Sequence, residues 1–200
     1  MRFESANRSV VRSVRQRELL NVWLRVFRRE RSLPLIHQYR PDRLEEEKPD
    51  LMYYDVRDDT QPVRFMILHG GQNLVHAFGT VKGEGWFLDD LVGPERTRSI
   101  VPSYYASIDA RRPVYTVLAV SDVGGVPVNY ERLVLPFGAG DKVQQLIVSS
   151  KTISVEGRFV NKDLMRPGEQ GPVHLVTAVI DHDLDTTADK LAIADDVVEL

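Results

Sequence analysis

The chain of 200 residues contains no cysteine. This excludes disulfides, zinc or iron–sulfur centres ligated by cysteine, thiolate catalysis and a chromophore bound covalently to cysteine. No apolar run approaches the roughly 20 residues that span a bilayer. Four arginines interrupt the N-terminal segment where a signal peptide would have its apolar core: Arg8, Arg12, Arg15 and Arg17. These features predict a soluble cytoplasmic protein.

The motifs of common enzyme classes are also missing. His69-Gly70-Gly71 ends an apolar run, as the oxyanion loop of a hydrolase does, but no serine lies in a Gly-x-Ser-x-Gly elbow. The glycines have neither P-loop nor dinucleotide-binding spacing, so we interpret them as a sharp turn. The five histidines lack metal-ligand spacing. We predict no enzyme activity; an unfamiliar site with His69 or His76 beside Glu84 is the alternative.

One acidic stretch partly matches a calcium-binding loop. Asp181, Asp183 and Asp185 occupy loop positions 1, 3 and 5. Thr186 stands where the loop requires glycine, and Ala192 where it requires a bidentate glutamate. The interpretation that we prefer is a solvated acidic tail.

Charge is unevenly distributed along the chain. The formal net charge is −3, but residues 1–31 hold nine arginines and three glutamates, whereas residues 175–200 hold seven acidic residues and one lysine. The two ends either attract each other or meet different partners.

The basic N-terminal segment reads as an amphipathic helix over about Asn7 to Arg31. Apolar residues including Leu20, Trp23 and Phe27 recur at helical spacing. Such a stripe packs on its own domain or on a second copy of the chain; in the second case, Leu20, Trp23 and Phe27 would lie in a homodimer interface. A nucleic-acid or membrane-surface contact through the arginines is the alternative.

The central region alternates between strand and helix patterns. Strands are predicted at Leu51–Val56, Val63–Leu68, Val114–Asp122, Val126–Phe137 and Lys142–Ser150, a short helix at Asn73–Phe78, and a longer helix from Pro94 to Ala110. Gly124 and Gly125 mark a hairpin turn. This order predicts an α+β fold in which helices cover one face of an antiparallel sheet. Val173–Ile180 also has strand-like content.

Aromatic residues fall in the helical and sheet segments of this plan. With His76, the residues Trp86, Tyr104, Tyr115 and Tyr130 are candidates for the lining of a small ligand pocket. The competing interpretation is that they fill the core.

A spaced series of short motifs carries a family resemblance. It comprises Trp23, Leu33-Pro34, Tyr39–Pro41, Asp55-Val56, "RFMILHGG", "HAFGTVKGEGWFLDDLVGPE", "ARRPVY" and "YERLVLPF". In order and spacing the series resembles the single-domain bacterial PAS proteins of the PAS-5 family, over about Leu20 to Ser150. The chain departs from the family at His69–Gln72, where Gly-Thr is usual.

The resemblance implies a PAS fold, with a five-stranded antiparallel sheet, short helices on one face and an N-terminal helix. It divides the chain into a dimerisation helix at 1–32, a PAS domain at 33–150 and a C-terminal extension at 151–200, part of which has the composition of a disordered tail. It further implies a sensory or adaptor protein without an output domain, acting on other signalling proteins. The reactive cysteine of flavin-binding PAS sensors is absent. The haem-binding members have their haem-ligating histidine on the long helix, where this chain has none; His76 is the alternative haem ligand. The resemblance thus leaves the cofactor unknown and is compatible with a non-covalent small-molecule ligand. We expect no nucleic-acid partner.

Overall fold

The computed structural model describes residues 1–79, 83–154, 157–162, 164, 172–181 and 183–184. Its strands and α-helices, in chain order, are β1 (Glu4–Ala6), α1 (Val14–Glu30), α2 (Leu44–Glu47), β2 (Leu51–Arg57), β3 (Arg64–Gly70), α3 (Gln72–Phe78), α4 (Leu88–Ala110), β4 (Val114–Ser121), β5 (Pro127–Ala139), β6 (Lys142–Ser154) and β7 (Val173–Ile180). None of the described helices is both long and apolar enough to cross a membrane.

The seven strands in the described part of the chain form one mixed sheet in the order β1-β7-β4-β5-β6-β2-β3. The prediction of a five-stranded antiparallel PAS sheet is therefore wrong. β7 pairs antiparallel with β4, and β1 pairs parallel with β7. The physical reason is that β4 would otherwise expose unpaired backbone groups at an edge, which Val173–Ile180 covers with a β-branched strand.

The N-terminal helix packs against the sheet of its own chain. Leu20 and Trp23 are almost completely buried, and the Trp23 indole Nε1 donates to the backbone oxygen of Pro136 over 2.7 Å. The Gln16 side-chain amide donates to the backbone oxygens of Glu131 and Ser149. α1 thus covers one face of the sheet, because its apolar stripe and one buried amide both find partners there.

The long helix α4 covers the opposite face. Gly93 lies inside it with φ 74° and ψ 169°, a backbone conformation that breaks the helix, and the regular part resumes at Pro94. Tyr104 from α4 packs edge-on against Tyr54 of β2, with ring centroids 5.2 Å apart. The sheet is therefore buried on both faces, and the predicted start of the long helix at Pro94 coincides with the end of this kink.

Gly71 lets the chain turn from β3 into α3. A Cβ added at Gly71 would lie 2.3 Å from the backbone oxygen of Lys48 and 2.4 Å from that of Pro49, whereas one at Gly70 would meet only side chains, at 3.5 Å or more. The interpretation of His69-Gly70-Gly71 as a tight turn is confirmed. Close backbone approach, and not a positive φ, is what requires glycine at position 71.

We expect Gly71→Ala to lower the free energy of unfolding by about 1–3 kcal/mol, since neither carbonyl can yield without moving backbone. Gly70→Ala is the matched control and should stay within about 0.5 kcal/mol of the unmodified protein. Urea denaturation of the three proteins measures both effects. Equal stability of the two variants would contradict the assignment.

Candidate functional site

A row of polar side chains crosses the centre of the sheet on the face that α4 covers. Thr177 of β7 pairs with Thr116 of β4, Thr116 with Arg132 of β5, and Arg132 with Ser150 of β6. Residues directly opposite each other on antiparallel strands project to the same face. We call Thr177, Thr116, Arg132 and Ser150 the polar row.

Arg132 is the exceptional member of the polar row. It is 2% exposed, yet both terminal nitrogens of its guanidinium group lack a hydrogen-bond partner among the described residues. The Oγ1 atom of Thr116, which is 1% exposed, also has none. Buried charged groups are normally paired, because removing a charge from water costs several kcal/mol. The polar row therefore presents unsatisfied groups in the interior of the protein.

The adjacent carboxylate does not neutralise Arg132. Glu131 precedes it on β5, so its side chain projects to the opposite face of the sheet, beneath α1. Burial raises the pKa of Tyr115 on that face, and the hydrogen bond that the Tyr115 hydroxyl donates to the Glu131 carboxylate raises it further. The two opposite charges are thus separated by the thickness of the sheet.

The groups around Arg132 are hydroxyls and further cations. Burial lowers the pKa of Arg96 on α4, and the charge of Arg132 lowers it further. Burial and then the charge of Arg132 also lower the pKa of His174 on β7. The guanidinium carbon of Arg132 lies 5.3 Å from the ring centroid of Tyr130, a cation–π distance. The electrostatic environment at the centre of the row is positive.

Surface pockets lie at both ends of the polar row. The basic pocket, at the β7 end, has a volume of about 430 Å³ and is lined by Met1, Arg2, Arg98, Ser99, His174 and Thr177. The Asn73 pocket, at the β6 end, has a volume of about 320 Å³, and its lining includes Asn73, Tyr130, Ser150 and Thr152. Arg132 and Thr116 lie between them, under α4. The linings of these two pockets include Thr177 and Ser150, the outer members of the polar row, but neither Arg132 nor Thr116.

The structure brings together only some of the predicted pocket residues. Tyr104 and Tyr130 are buried on the α4 face, and Tyr130 reaches the Asn73 pocket. Tyr115 lies on the α1 face, where its hydroxyl accepts from the backbone N–H of Arg12. His76 is exposed on α3, and Trp86 is 54% exposed. These five residues therefore do not form one cavity.

Sequence reasoning missed Arg132 as a site residue. The signal was a pair of opposite charges, Glu131 and Arg132, inside an otherwise apolar strand. Thr116 and His174 carried no comparable signal, since a hydroxyl or an imidazole is common in exposed strands as well.

The pair proposed for an unfamiliar enzyme site does form. Nδ1 of His69 lies 3.0 Å from Oε1 of Glu84, and His69 and His76 line a shared surface pocket of about 550 Å³. The His69 and Glu84 side chains are 53% and 57% exposed. Because water screens this pair, it lacks the enclosed surroundings that strengthen catalytic electrostatics. Within the described residues no group of three or more acidic or histidine side chains is arranged to hold a metal ion.

The residues assigned to a homodimer interface lie mostly inside the subunit. Leu20 and Trp23 are buried against the chain's own sheet, and Phe27 stacks on Trp23 with ring centroids 5.0 Å apart. In this conformation they offer little surface to a second copy. The exposed arginines of α1 remain on its outer side.

The acidic stretch near the C-terminus is described only at its beginning. Asp181 forms an ion pair with Arg112, and Asp183 approaches the same guanidinium at 3.5 Å. Asp185, Thr186 and Ala192 of the calcium-loop comparison lie outside the described residues.

Comparison with known proteins adds no relative from which function could be carried over. No protein-family model matches the chain, and no curated protein matches it significantly. The site is therefore interpreted from its own chemistry.

Burial raises the pKa of all seven tyrosines, that of Tyr104 to about 12. The unfolded chain loses these protons near pH 10, before the folded chain does. The contribution of these tyrosines to the free energy of unfolding should therefore be fully present below about pH 10. It should decrease as the pH rises through the pKa values that the tyrosines have in the folded protein. Absorbance titration of tyrosinate, combined with circular dichroism, should show tyrosine ionisation and unfolding together. A full tyrosinate signal at pH 11 from folded protein would contradict this.

Replacing Arg132 with methionine should stabilise ligand-free protein that has been purified under denaturing conditions and refolded. We expect Arg132→Met to raise the free energy of unfolding by at least about 1 kcal/mol, because it removes a buried charge whose terminal nitrogens have no partner among the described residues. Arg25→Met, at an exposed position of α1, should change stability by less than about 0.5 kcal/mol. A loss of stability in Arg132→Met would show that the arginine has a structural role.

Proposed function

We propose that this protein is a sensory or adaptor protein that binds a small non-covalent ligand at the polar row and acts through contacts with other proteins. The observation that supports this is the guanidinium group of Arg132, which is buried under α4 and whose two terminal nitrogens have no hydrogen-bond partner among the described residues. A chain under selection for stability alone gains nothing from such a group, since an apolar residue of similar size would be more stable there. Functional sites are where such local costs persist.

The polar row also has the composition of a ligand site. Most of the surrounding surface is apolar or aromatic, with a few polar groups that converge from different strands: Arg132, Thr116, Ser150 and the Tyr130 hydroxyl. Small-molecule sites are typically apolar pockets of 300–1,000 Å³ with a few placed polar groups. The pockets at the two ends of the row, of about 430 and 320 Å³, are of that size.

A ligand at the β7 end would act on the outer edge of the sheet. The Thr177 hydroxyl donates to the backbone oxygen of Arg2 over 2.7 Å, and β1 pairs with β7 over only three residues. A strand of three residues has little pairing energy of its own, so β1 can be docked on β7 or released from it. A ligand that contacts Arg2 and Thr177 would shift the populations of these two arrangements. We propose that partner proteins detect this edge.

Other parts of the proposal rest on the sequence. A homodimer, a cytoplasmic location and the absence of enzyme activity stay predictions. Light scattering of the full chain tests the dimer, and a mass of one chain at micromolar concentration would reject it.

Native mass spectrometry of the protein purified from its own cells tests ligand binding. We expect a mass excess that denaturation removes, because the ligand is held non-covalently. Arg132→Met should lose the excess, and Arg25→Met should retain it. If unmodified protein and Arg132→Met carried the same mass excess, the site would be elsewhere. If neither carried any, and no compound of a metabolite panel raised the melting temperature of the unmodified protein, the proposed function would be wrong.

A further inference from the structure

We propose that the ligand is a small dianion, with one carboxylate held by Arg132 and a second anionic group held in the basic pocket by Arg2 and Arg98. This inference rests on the proposed function and goes further by naming the chemical class of the ligand.

The first anionic group follows from the geometry of Arg132. The two terminal nitrogens of a guanidinium group form a planar fork that matches the two oxygens of a carboxylate. Both are buried and lack partners among the described residues. The Thr116 hydroxyl, buried on the adjacent strand, supplies a further donor. A neutral carbonyl would satisfy the hydrogen bonds but would leave the charge uncompensated.

The second anionic group follows from the charge of the basic pocket. Among its lining residues are the cationic side chains of Arg2 and Arg98, together with the imidazole of His174, and none of the lining residues is acidic. The Asn73 pocket at the other end differs, because Asp50 lies in its lining and forms an ion pair with Lys151 at 2.6 Å. The ligand therefore extends from Arg132 toward β7, and not toward β6.

The distance between the two subsites sets the length of the ligand. Arg132 and Thr177 are two strands apart, which corresponds to about 10 Å between their backbones. Because arginine side chains are long, the gap between the two guanidinium groups is not fixed by the backbones alone, and Arg98 lies exposed on α4 at the basic pocket. A linear dicarboxylate of four to six carbons spans such a gap, and its methylene groups would lie beside Leu118, which is buried between His174 and Tyr130 on the sheet.

Calorimetric titration of the refolded full chain with defined probes tests the inference at constant ionic strength. The probes are succinate, glutarate and adipate, their monoanionic counterparts butyrate, pentanoate and hexanoate, and inorganic phosphate. We expect at least one dicarboxylate to bind about tenfold or more tightly than the monoanion of equal length, since a charge-assisted hydrogen bond is worth at least that factor. Phosphate binding tighter than every dicarboxylate would overturn the assignment of a carboxylate to Arg132.

Three variants separate the two subsites. Arg132→Met should weaken binding of dianion and monoanion alike, by about tenfold or more. Arg98→Met should weaken binding of the dianion only, so that the ratio of dianion to monoanion affinity becomes smaller. Thr116→Val, which preserves shape, should weaken both by a smaller factor, and it is informative even if Arg132→Met folds poorly. Arg25→Met is the control and should bind as the unmodified protein does.

The outcomes distinguish this inference from the proposed function. If Arg132→Met binds the dicarboxylate as tightly as the unmodified protein, Arg132 is not the anchor and the inference is wrong. An unchanged ratio of dianion to monoanion affinity in Arg98→Met likewise overturns the second subsite. If native mass spectrometry identifies a neutral compound that Arg132→Met loses, the ligand class is wrong and the proposed function stands.

Discussion

The buried charge of Arg132 is the feature on which this account of the protein depends. The guanidinium group of Arg132 lies under a helix and is 2% exposed, and its two terminal nitrogens have no hydrogen-bond partner in the described part of the chain. Such a buried charge is unfavourable for folding unless something else compensates it. The protein places its neighbouring carboxylate, Glu131, on the other face of the sheet, and it surrounds Arg132 with hydroxyl groups and other cations. In the proposed function, an anion from outside the chain supplies this compensation.

The two faces of the sheet accordingly have different roles. On the α1 face, apolar packing around Leu20 and Trp23 and the hydrogen bonds of Gln16 hold the helix to the sheet. On the α4 face, the polar row interrupts the apolar core between two surface pockets. The strand β7 protects the edge of β4, and in the proposed function it also contributes to the site. Thr177 of β7 is one end of the polar row, and His174 of β7 lines the basic pocket beside it.

Local patterns predicted much of the secondary structure and little of the site. The alternation of apolar residues located β2 to β6, and the glycines located the turns at Gly71 and Gly124–Gly125. β1 has only three residues, too few for any periodicity, and nothing in Val173–Ile180 indicates which strand it would pair with. Local sequence patterns therefore could not predict the number of strands in the sheet. The family resemblance predicted five antiparallel strands, which is wrong.

The candidate site depends on the same long-range information. Tyr115 and Tyr130 are equally plausible as pocket residues in the sequence, yet the register of β4 and β5 puts them on opposite faces. Whether Arg132 has an acceptor depends on which strands and which helix lie beside it. The sequence indicates an unusual charge within an apolar strand. Only the assembled sheet shows that the two terminal nitrogens of Arg132 have no hydrogen-bond partner among the residues that the structure describes.

A crystal structure of the refolded protein grown with the tightest-binding dicarboxylate tests most directly whether an external anion compensates Arg132. We expect carboxylate density with its two oxygens about 3 Å from the terminal nitrogens of Arg132. A structure in which Arg132 instead forms an ion pair with a carboxylate of its own chain, with the dicarboxylate bound elsewhere or not at all, would contradict it.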